Sequence, residues 1–152
     1  MTHKLRGFEP VKKYANENIT LPHRATKHSA GYDVYAAHAM TIPANGVRLI
    51  SIGVKAYMQP GEVLYAFDRS SNAKRLHIEL VNSVGVIDGD YYNNPDNEGE
   101  IFLQFRNLTA VPLTIEANTS IGQVVFMPLL LADGDSFENG EERVGGFGST
   151  SK

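Results

Sequence analysis

Apolar and polar residues alternate with a period of two along several short stretches of the chain. Leucine or isoleucine fills every second position of residues 76–81, and isoleucine, leucine and phenylalanine do so in residues 100–106. This period is typical of β-strands that bury one face. Glycine, proline and asparagine separate the stretches, and the sequence contains no heptad, internal repeat or long amphipathic helical pattern. The pattern therefore predicts an all-β chain of many short strands.

The predicted strands follow one another closely. They cover residues 5–11, 33–37, 40–42, 47–58, 62–67, 76–81, 84–87, 100–106, 113–115 and 121–131. Residues 70–75 favour a short helix with a serine as its N-cap. Pro128 indicates that the last strand lies at a sheet edge or carries a bulge. Such strands predict a jelly-roll-like β-barrel or sandwich, because an immunoglobulin sandwich is typically marked by tryptophan and a cysteine pair.

The character of the chain changes after residue 132. Aspartate, glutamate, glycine and asparagine dominate from residue 133 onward, and the sequence GGFGST covers residues 145–150. Such a segment is too polar and too rich in glycine to bury a core of its own. We therefore expect one domain over residues 1–132 and a flexible C-terminal arm over residues 133–152, which either docks on another surface or stays disordered.

Composition and charge narrow the function classes. A length of 152 residues suits one domain, and the net charge of -3 disfavours binding to nucleic acid or to an anionic membrane. The chain has no cysteine, which excludes disulfides, thiolate catalysis and cysteine-based zinc sites, and its five histidines lack the spacing of metal ligands. No apolar stretch reaches membrane-spanning length, and the first residues lack a signal-peptide core. We expect a soluble, cytoplasmic protein.

The strongest candidate for chemistry is the sequence VGVIDGDY at residues 84–91. Its first four residues predict a buried strand, and the dipeptide Asp88-Gly89 predicts a tight hairpin after that strand. A carboxylate at the edge of an apolar hairpin is partly desolvated but remains near water, which suits a general base that activates a water molecule. The plain alternative is an ordinary turn with a solvated aspartate, and the segment by itself favours that alternative.

Four further motifs accompany this segment in a fixed order. They are AGYD at residues 30–33, DRSS at 68–71, IGQVVFMP at 121–128, and Arg143 followed by GGFGST at 145–150. Together the five resemble the motifs of the trimeric dUTP pyrophosphatases, or dUTPases, over residues 31–150. Each motif is common by itself, whereas five in order on a predicted all-β chain are specific.

The resemblance implies hydrolysis of dUTP to dUMP and pyrophosphate, a reaction that limits the entry of uracil into DNA. Asp88 corresponds to the residue that activates water for attack on the α-phosphorus, and Gln123 and Arg143 correspond to residues that assist catalysis. Asp33 corresponds to a structural brace for Arg69. The resemblance further implies Mg²⁺ as cofactor, held mainly by triphosphate oxygens and water rather than by protein ligands.

A homotrimer with shared active sites is also implied by the resemblance. One chain supplies the phosphate-binding segment, a second chain the Asp88 segment and a third chain the arm. In this scheme an Asn82 amide and the neighbouring backbone read uracil, Tyr91 stacks beneath the deoxyribose, and Phe147 covers the base. The substrate-binding residues that the resemblance implies are Arg69, Ser70, Ser71, Asn82, Gly85, Val86, Ile87, Asp88, Tyr91, Gln123, Arg143, Phe147, Gly148 and Ser149.

Some positions depart from the family pattern. Asp68 stands where the family usually has proline, and we expect its side chain to point away from the phosphates because both are negative. Ser71 replaces a usual glycine, and Ser120 replaces a usual arginine. The interval from Arg143 to the aromatic residue of the arm is one residue short. Residues 93–98 are an insertion that we expect to form a surface loop.

Plainer interpretations and other functions remain open. Asn82 is equally typical of turns, Tyr91 of half-buried sheet aromatics, and Gln123 of outward-facing strand positions. A dCTP deaminase-like enzyme of the same fold would need a glutamate that acts on the base and would not need the arm. A non-enzymatic regulatory protein that senses dUTP would keep the pocket without relying on turnover.

Overall fold

The computed structural model describes residues 3–148, so Ser149 and the other terminal residues lie outside the described part. Short helical turns cover Lys12–Tyr14, Asn72–Leu76 and Gly89–Tyr91. The strands are β1 (Gly7–Pro10), β2 (Tyr32–Tyr35), β3 (Met40–Ile42), β4 (Val47–Ser51), β5 (Val54–Tyr57), β6 (Glu62–Phe67), β7 (Ile78–Leu80), β8 (Val84–Ile87), β9 (Phe102–Asn107), β10 (Leu113–Ile115) and β11 (Ser120–Pro128). The predicted all-β, jelly-roll-like fold class is confirmed.

Within the described residues the strands form four antiparallel sheets. Their strand orders are β1-β5, β10-β3, β2-β11-β6-β8 and β4-β9-β7. Side chains from the two larger sheets fill one continuous apolar core, which includes Val34, Ile50, Leu64, Leu103 and Phe105. Each fully buried side chain of this kind contributes about 1.5 to 3 kcal/mol relative to its exposed state. The core therefore fixes the two sheets against each other and holds β8 and β9 on one side of the molecule.

The single strand predicted over residues 47–58 is two strands in the structure. β4 and β5 belong to different sheets, and the chain turns between them at Gly53, which has a φ of +69°. A Cβ atom at this position would stand 3.0 Å from Ile19 Cδ1, so the turn needs glycine for both its φ and its packing. The aliphatic and β-branched residues of 47–58 run across this change of sheet without a proline or an asparagine, so the sequence pattern does not mark it.

The last strand is interior to its sheet over only part of its length. β11 lies between β2 and β6 up to Val124, and from Val125 to Pro128 it pairs with β6 alone, so Pro128 lies at a sheet edge. The register shift of the strand lies between Ser120 and Gly122 rather than at Pro128. Pro128 is instead the final residue of the strand, opposite Glu62, where the loss of an N–H donor has little effect on the ladder. The residues up to 131 continue as an exposed, irregular segment.

The hairpin predicted at Asp88-Gly89 is also wrong. β8 pairs with β6, in the register Leu64 with Ile87, and the chain after Asp88 makes the short helical turn Gly89–Tyr91. The strand that follows, β9, belongs to the other large sheet, so a tight hairpin cannot connect the two. β8 is the outer strand of its sheet and is not buried as predicted, since Val86 is 60% exposed.

The helix predicted at residues 70–75 is one turn at Asn72–Leu76. A serine cap was expected, but Asp68 stabilises this corner instead. The Asp68 carboxylate accepts hydrogen bonds from the Arg69 N–H at 2.8 Å, from Asn72 Nδ2 at 2.6 Å and from the Leu80 N–H at 2.8 Å. The Asp68 carboxylate is therefore directed toward its own chain, which agrees with the expectation that it points away from the phosphates.

The arm leaves the sheet at the end of β11 and crosses the surface to β8. Just before the arm, the Leu129 N–H donates a hydrogen bond to the Gly61 carbonyl at 2.9 Å. Residues 133–148 then run as turns and irregular chain to the region around Asp88. Among the described residues, helices long and apolar enough to cross a membrane are absent.

Candidate active site

A cavity of about 370 Å³ lies where β8, the turn after it, β9 and the arm meet. β8 contributes its backbone and side chains to one wall, and the core side of β9 contributes another. The arm closes the outer side. The lining includes the sequence-predicted residues Asn82, Gly85, Val86, Ile87, Asp88, Tyr91, Arg143, Phe147 and Gly148.

Asp88 lies at the mouth of this cavity, at the end of β8. Half of its side chain is exposed, and its carboxylate pairs with the Arg143 guanidinium. Arg143 Nε also donates to Asp90 Oδ1 at 2.8 Å, and its Nη1 donates to the Gly145 carbonyl at 3.1 Å. The guanidinium thus connects two carboxylates of the site with the backbone of the arm, so charge holds the arm against the cavity.

β8 offers its outer edge to the cavity. An outer strand directs half of its backbone N–H and C=O groups away from its partner, where they can bond a planar ligand. Gly85 packs closely on β6, since a Cβ atom there would stand 3.2 Å from Ala66 Cβ. Asn82 precedes the strand, and its Nδ2 lies 3.4 Å from the Val84 carbonyl. Together these groups form a polar rim on an otherwise apolar wall.

Tyr91 forms the floor of the cavity. The side chain is 9% exposed, and its hydroxyl donates to the Glu100 carbonyl at 2.5 Å. Burial raises the pKa of this phenol above its ordinary value. A Cβ atom at Gly146 would stand 2.6 Å from Tyr91 Cε2, which means that only glycine lets the arm pass so close to the ring.

Phe147 is the aromatic side chain of the arm. It is 66% exposed and contacts Phe102 of β9 edge to face, with 5.8 Å between the ring centroids. An exposed aromatic ring over a cavity mouth can stack on a planar ligand. Phe102 was not among the sequence-predicted residues, because nothing in the period-two pattern of this strand distinguishes its position from the others.

A second cluster gathers the remaining motif residues at the ends of β2, β6 and β11. Arg69 Nε lies 3.6 Å from Asp33 Oδ1, and Arg69 Nη1 donates to the Ser120 carbonyl at 3.2 Å. Asp33 and Arg69 thus form an ion pair, and the role of Asp33 as a brace stays a prediction. Ser70 is exposed and Ser71 is half-buried.

Gln123 belongs to this second cluster. It pairs with Asp33 in the sheet register, and its Nε2 donates to the Asp68 carbonyl at 3.1 Å. Its side chain also fills the space beside Gly31, where a Cβ atom would collide with Gln123 Oε1. The glycine of the first motif therefore has a packing reason, which is to admit the Gln123 side chain.

Within one chain the structure separates the predicted residues into these two groups. Asp33, Arg69, Ser70, Ser71 and Gln123 are not among the described residues that line the cavity. Three residues that do stand at or near the cavity were missed in the sequence, namely Asp90, Asn97 and Phe102. Asp90 pairs with Arg143, and Asn97 bonds the Tyr91 hydroxyl.

Metal-binding side chains are not grouped in the described part of the chain. Residues 3–148 contain no set of three or more histidine, cysteine, aspartate or glutamate side chains that could hold an ion together. The carboxylates at the cavity mouth are Asp88 and Asp90, and Arg143 bonds both of them. These residues fit an ion that takes most of its ligands from a bound polyphosphate, which Mg²⁺ commonly does.

Known proteins are similar to this chain in both sequence and fold. The sequence matches the family described as dUTPase over residues 17–151. A curated deoxyuridine 5'-triphosphate nucleotidohydrolase from Lactococcus lactis subsp. lactis is 56% identical over 147 residues, which cover 97% of this chain and 98% of the relative. The crystal structure of a dUTPase from Streptococcus mutans is 55% identical, with a TM-score of 0.81, and covers 84% of this chain and 99% of that chain.

A more distant structure shares the fold alone. It is a mutant dUTPase from phage phi11 of S. aureus, described as revealing the coordination of a structural Mg(II) ion. It is 17% identical, has a TM-score of 0.70, and covers 90% of this chain and 98% of that chain. The family match spans most of the sequence, and the Lactococcus relative is identical at more than half of the aligned positions. The chain therefore belongs to the dUTPase family.

Proposed function

We propose that this chain hydrolyses dUTP to dUMP and pyrophosphate, with Asp88 as the general base. The observation that carries the proposal is the position of Asp88 at the mouth of the cavity, between the polar edge of β8 and the arm. Half of the Asp88 side chain is accessible, so both a water molecule and a phosphate can reach it. A positioned carboxylate of this kind typically contributes about 10² to 10⁴-fold to the rate.

In the proposed reaction Asp88 accepts a proton from water as the water oxygen attacks the α-phosphorus in line. A bond forms between that oxygen and the α-phosphorus. The bond from the α-phosphorus to the bridging oxygen breaks, and pyrophosphate leaves with the electron pair. Gln123 assists by holding the water or the phosphates, and Arg69, Ser70 and Ser71 bind phosphate oxygens.

Arg143 has two partners in this scheme. Without substrate it pairs with Asp88 and Asp90. A triphosphate carries more negative charge than a carboxylate and accepts the same forked hydrogen bonds. Substrate therefore draws the guanidinium away from Asp88, which frees the base and places a cation where negative charge develops in the transition state.

Recognition of the nucleoside falls to the cavity walls. The outer edge of β8, from Gly85 to Ile87, supplies backbone groups to the edge of uracil, and Asn82 supplies an amide. Tyr91 lies beneath the deoxyribose, and Phe147 stacks over the base. Gly148 lines the cavity, and Ser149, which lies outside the described residues, stays a prediction as a substrate-binding residue. A close backbone wall excludes a base with an additional methyl or amino group.

We propose that three chains assemble and share their active sites. The support is the separation of the motif residues into two clusters within one chain, together with the exposed apolar edge of β8, where Val84 is 39% and Val86 is 60% exposed. Residues 133–148 reach the cavity of their own chain in the structure. If arms are exchanged between identical subunits, each cavity receives the same arm with the same contacts, so the proposed domain of residues 133–152 can serve a neighbour.

We propose Mg²⁺ as the cofactor, bound mainly by triphosphate oxygens and water. Bound in this way, it supplies positive charge that a protein of net charge -3 lacks. From the protein side, Arg69 would add positive charge, and the Ser70 hydroxyl would donate a hydrogen bond to a phosphate oxygen. The cytoplasmic location stays a prediction.

A panel of deoxynucleoside triphosphates, assayed with magnesium for released pyrophosphate, tests the proposed function. The panel also includes the ribonucleotide UTP. The expected result is pyrophosphate from dUTP, with little from dCTP, dTTP or UTP. Ammonia released from dCTP would support the deaminase alternative. Tight binding of dUTP without turnover would support the regulatory alternative and overturn the proposal.

A further inference from the structure

The insertion at residues 93–98 lies at the surface, as the sequence predicts, with Asn93, Pro95 and Asp96 exposed, but the rest of it is directed inward. Its Asn94 side chain is only 5% exposed, and Asn97 and Glu98 are half-buried. The segment lies directly after Tyr91 and folds back beneath it. A buried amide keeps its place only when its hydrogen bonds are satisfied, and here they lead to Tyr91.

Asn97 bonds the phenol of Tyr91. Its Nδ2 lies 2.8 Å from the Tyr91 hydroxyl, which in turn donates to the Glu100 carbonyl at 2.5 Å. The orientation of the Asn97 amide follows from its other atom. Oδ1 accepts from the Gly99 N–H at 3.1 Å and from Asn94 Nδ2 at 2.8 Å, so Nδ2 is the atom that faces the phenol.

Asn94 holds both ends of this arrangement. Besides Asn97, its Nδ2 donates to the backbone carbonyl of Tyr91 at 2.7 Å. Its Oδ1 accepts from the backbone N–H groups of Asp96 and Asn97, each at 3.1 Å. The same side chain therefore fixes the backbone of Tyr91 and the residue that bonds its hydroxyl.

Lys55 anchors the base of the insertion to β5. It is 4% exposed, and its ammonium donates to Asn93 Oδ1 at 2.6 Å and to Glu98 Oε1 at 2.7 Å. The Asn93 N–H also donates to the Glu98 carbonyl at 2.9 Å, which closes the loop at its neck. The frame that holds Tyr91 is thus tied to a strand whose residues 54–56 are buried.

We propose that the insertion holds Tyr91 as a rigid wall of the nucleotide cavity, with Asn97 as the positioning residue that makes the site reject a ribose. This inference rests on the proposed function, because it takes Tyr91 as the residue beneath the sugar. The 2'-hydroxyl of a ribonucleotide needs space that becomes available only if the Tyr91 ring moves. Here the movement breaks the buried hydrogen bonds at the phenol, so the ribonucleotide is disfavoured.

The decisive variant is Asn97→Asp, which keeps the size of the side chain and both hydrogen bonds at Oδ1 but faces the phenol with an oxygen that only accepts. The Tyr91 hydroxyl then either loses its bond to residue 97 or gives up its bond to the Glu100 carbonyl, so one of the two bonds at the phenol is lost. Asn97→Leu removes all hydrogen bonds of the residue 97 side chain. The matched control is Pro95→Ala, an exposed residue of the same insertion. The measurement is kcat/KM for dUTP and for UTP. We expect the ratio of the two values to fall about tenfold in both Asn97 variants and to stay at the wild-type value in the control.

A second measurement reports on the contact itself. Burial raises the pKa of Tyr91, and the hydrogen bond from Asn97 lowers it in part. Removal of that donor therefore raises the Tyr91 pKa further. This change is visible in the ¹³Cζ tyrosine resonance, assigned by its loss in Tyr91→Phe. If Asn97→Leu fails to fold by circular dichroism, the closely isosteric Asn97→Asp decides alone.

The outcomes separate this inference from the proposed function. A wild-type ratio in Asn97→Asp overturns the inference, whether or not the Tyr91 resonance shifts. If the wild-type protein does not turn over dUTP, the proposed function fails. The affinities for dUMP and UMP then test the sugar preference by themselves, and equal losses of preference in the Asn97 variants and Pro95→Ala overturn the inference.

Discussion

The two clusters that carry the motif residues are built in different ways. Around Arg69 the polar groups are engaged by their own chain, since Asp33, the Ser120 carbonyl and the Asp68 corner hold the guanidinium and Gln123 in place. Around Asp88 the groups remain open to a ligand, on the outer edge of a sheet and beneath an arm held by charge. The first cluster is a fixed frame, and the second is a mouth that substrate can rearrange.

The comparison assigns different work to the two clusters. A fixed frame binds and aligns phosphates, so damage to it misplaces the substrate by small distances. The mouth contains Asp88, which accepts the proton from water, and Arg143, which stabilises the negative charge of the transition state. A change at either residue therefore affects the chemical step itself. We therefore expect larger losses from changes at Asp88 and the arm than from changes at Asp33.

The largest effect is expected for Asp88→Asn. The amide can still accept a hydrogen bond from water but cannot take its proton, so kcat should fall at least about a hundredfold. Affinity for dUTP should stay within about tenfold of the wild type, because one of the two carboxylates that repel the triphosphate is lost while the walls are unchanged. Steady-state kinetics and calorimetric titration measure the two quantities.

Asp90→Asn is the matched control for that variant. Asp90 shares Arg143 with Asp88 but lies two residues further on, in the turn Gly89–Tyr91. Its loss should change kcat less than tenfold, since no proton is transferred to it. Equal losses in the two variants, or normal turnover in Asp88→Asn, would remove Asp88 from the role of base.

Removal of residues 143–152 is expected to lower kcat about a hundredfold, because the cation at the transition state and the aromatic cover are both lost. The fold and the oligomer should persist, since the arm adds no strand to the sheets in the described chain. Circular dichroism and light scattering check both. Loss of the oligomer would instead assign the arm a structural role.

Mixing then tests whether the arm serves a neighbour. Asp88→Asn chains and truncated chains are each inactive, but a shared site can combine the Asp88 of one with the arm of the other. After refolding of an equal mixture, about a quarter of the sites should be complete. Activity that stays at the level of the separate variants would show that each arm serves its own chain.

A smaller effect is expected for Asp33→Asn in the fixed frame. The ion pair with Arg69 is half-buried and spans 3.6 Å, and the guanidinium keeps its bond to the Ser120 carbonyl. We expect KM for dUTP to rise about three- to tenfold, with a smaller change in kcat, because binding is weakened more than chemistry. A hundredfold loss of kcat would contradict the division between frame and mouth.

The same contrast shows what the sequence could predict. Period-two stretches predicted β7 and β9, since each of these strands buries alternate residues. The dipeptide Asp88-Gly89 misled because turn residues report local geometry, whereas the partner of β8 is chosen by the sheet to which it belongs.

Side-chain contacts across long intervals were less accessible. Asn97 and Lys55 lie 42 residues apart, and both act on the Tyr91 region only through the insertion, which no local pattern marks as buried. The Arg143 pair with Asp88 spans 55 residues and depends on the path of an arm without a periodic pattern. The order of the motifs identified most of the residues that line the cavity, whereas the residues that hold Tyr91 can be recognised only in the folded structure.

The smallest effect concerns the anchor of the insertion. Burial raises the pKa of Glu98, but hydrogen bonds from the Lys55 ammonium and the Lys12 N–H outweigh it and lower that pKa below the usual range. A carboxyl with a lowered pKa in the folded state stabilises the protein above its unfolded pKa, and this contribution is lost as the pH falls through the folded value. The wild type should therefore exceed Glu98→Gln in Tm at pH 7, and the difference should shrink below about pH 4. The control is Glu116→Gln, which changes an exposed carboxylate before β11. An equally large Tm difference for Glu116→Gln, or a Tm difference for Glu98→Gln that does not change with pH, would contradict the assigned anchor.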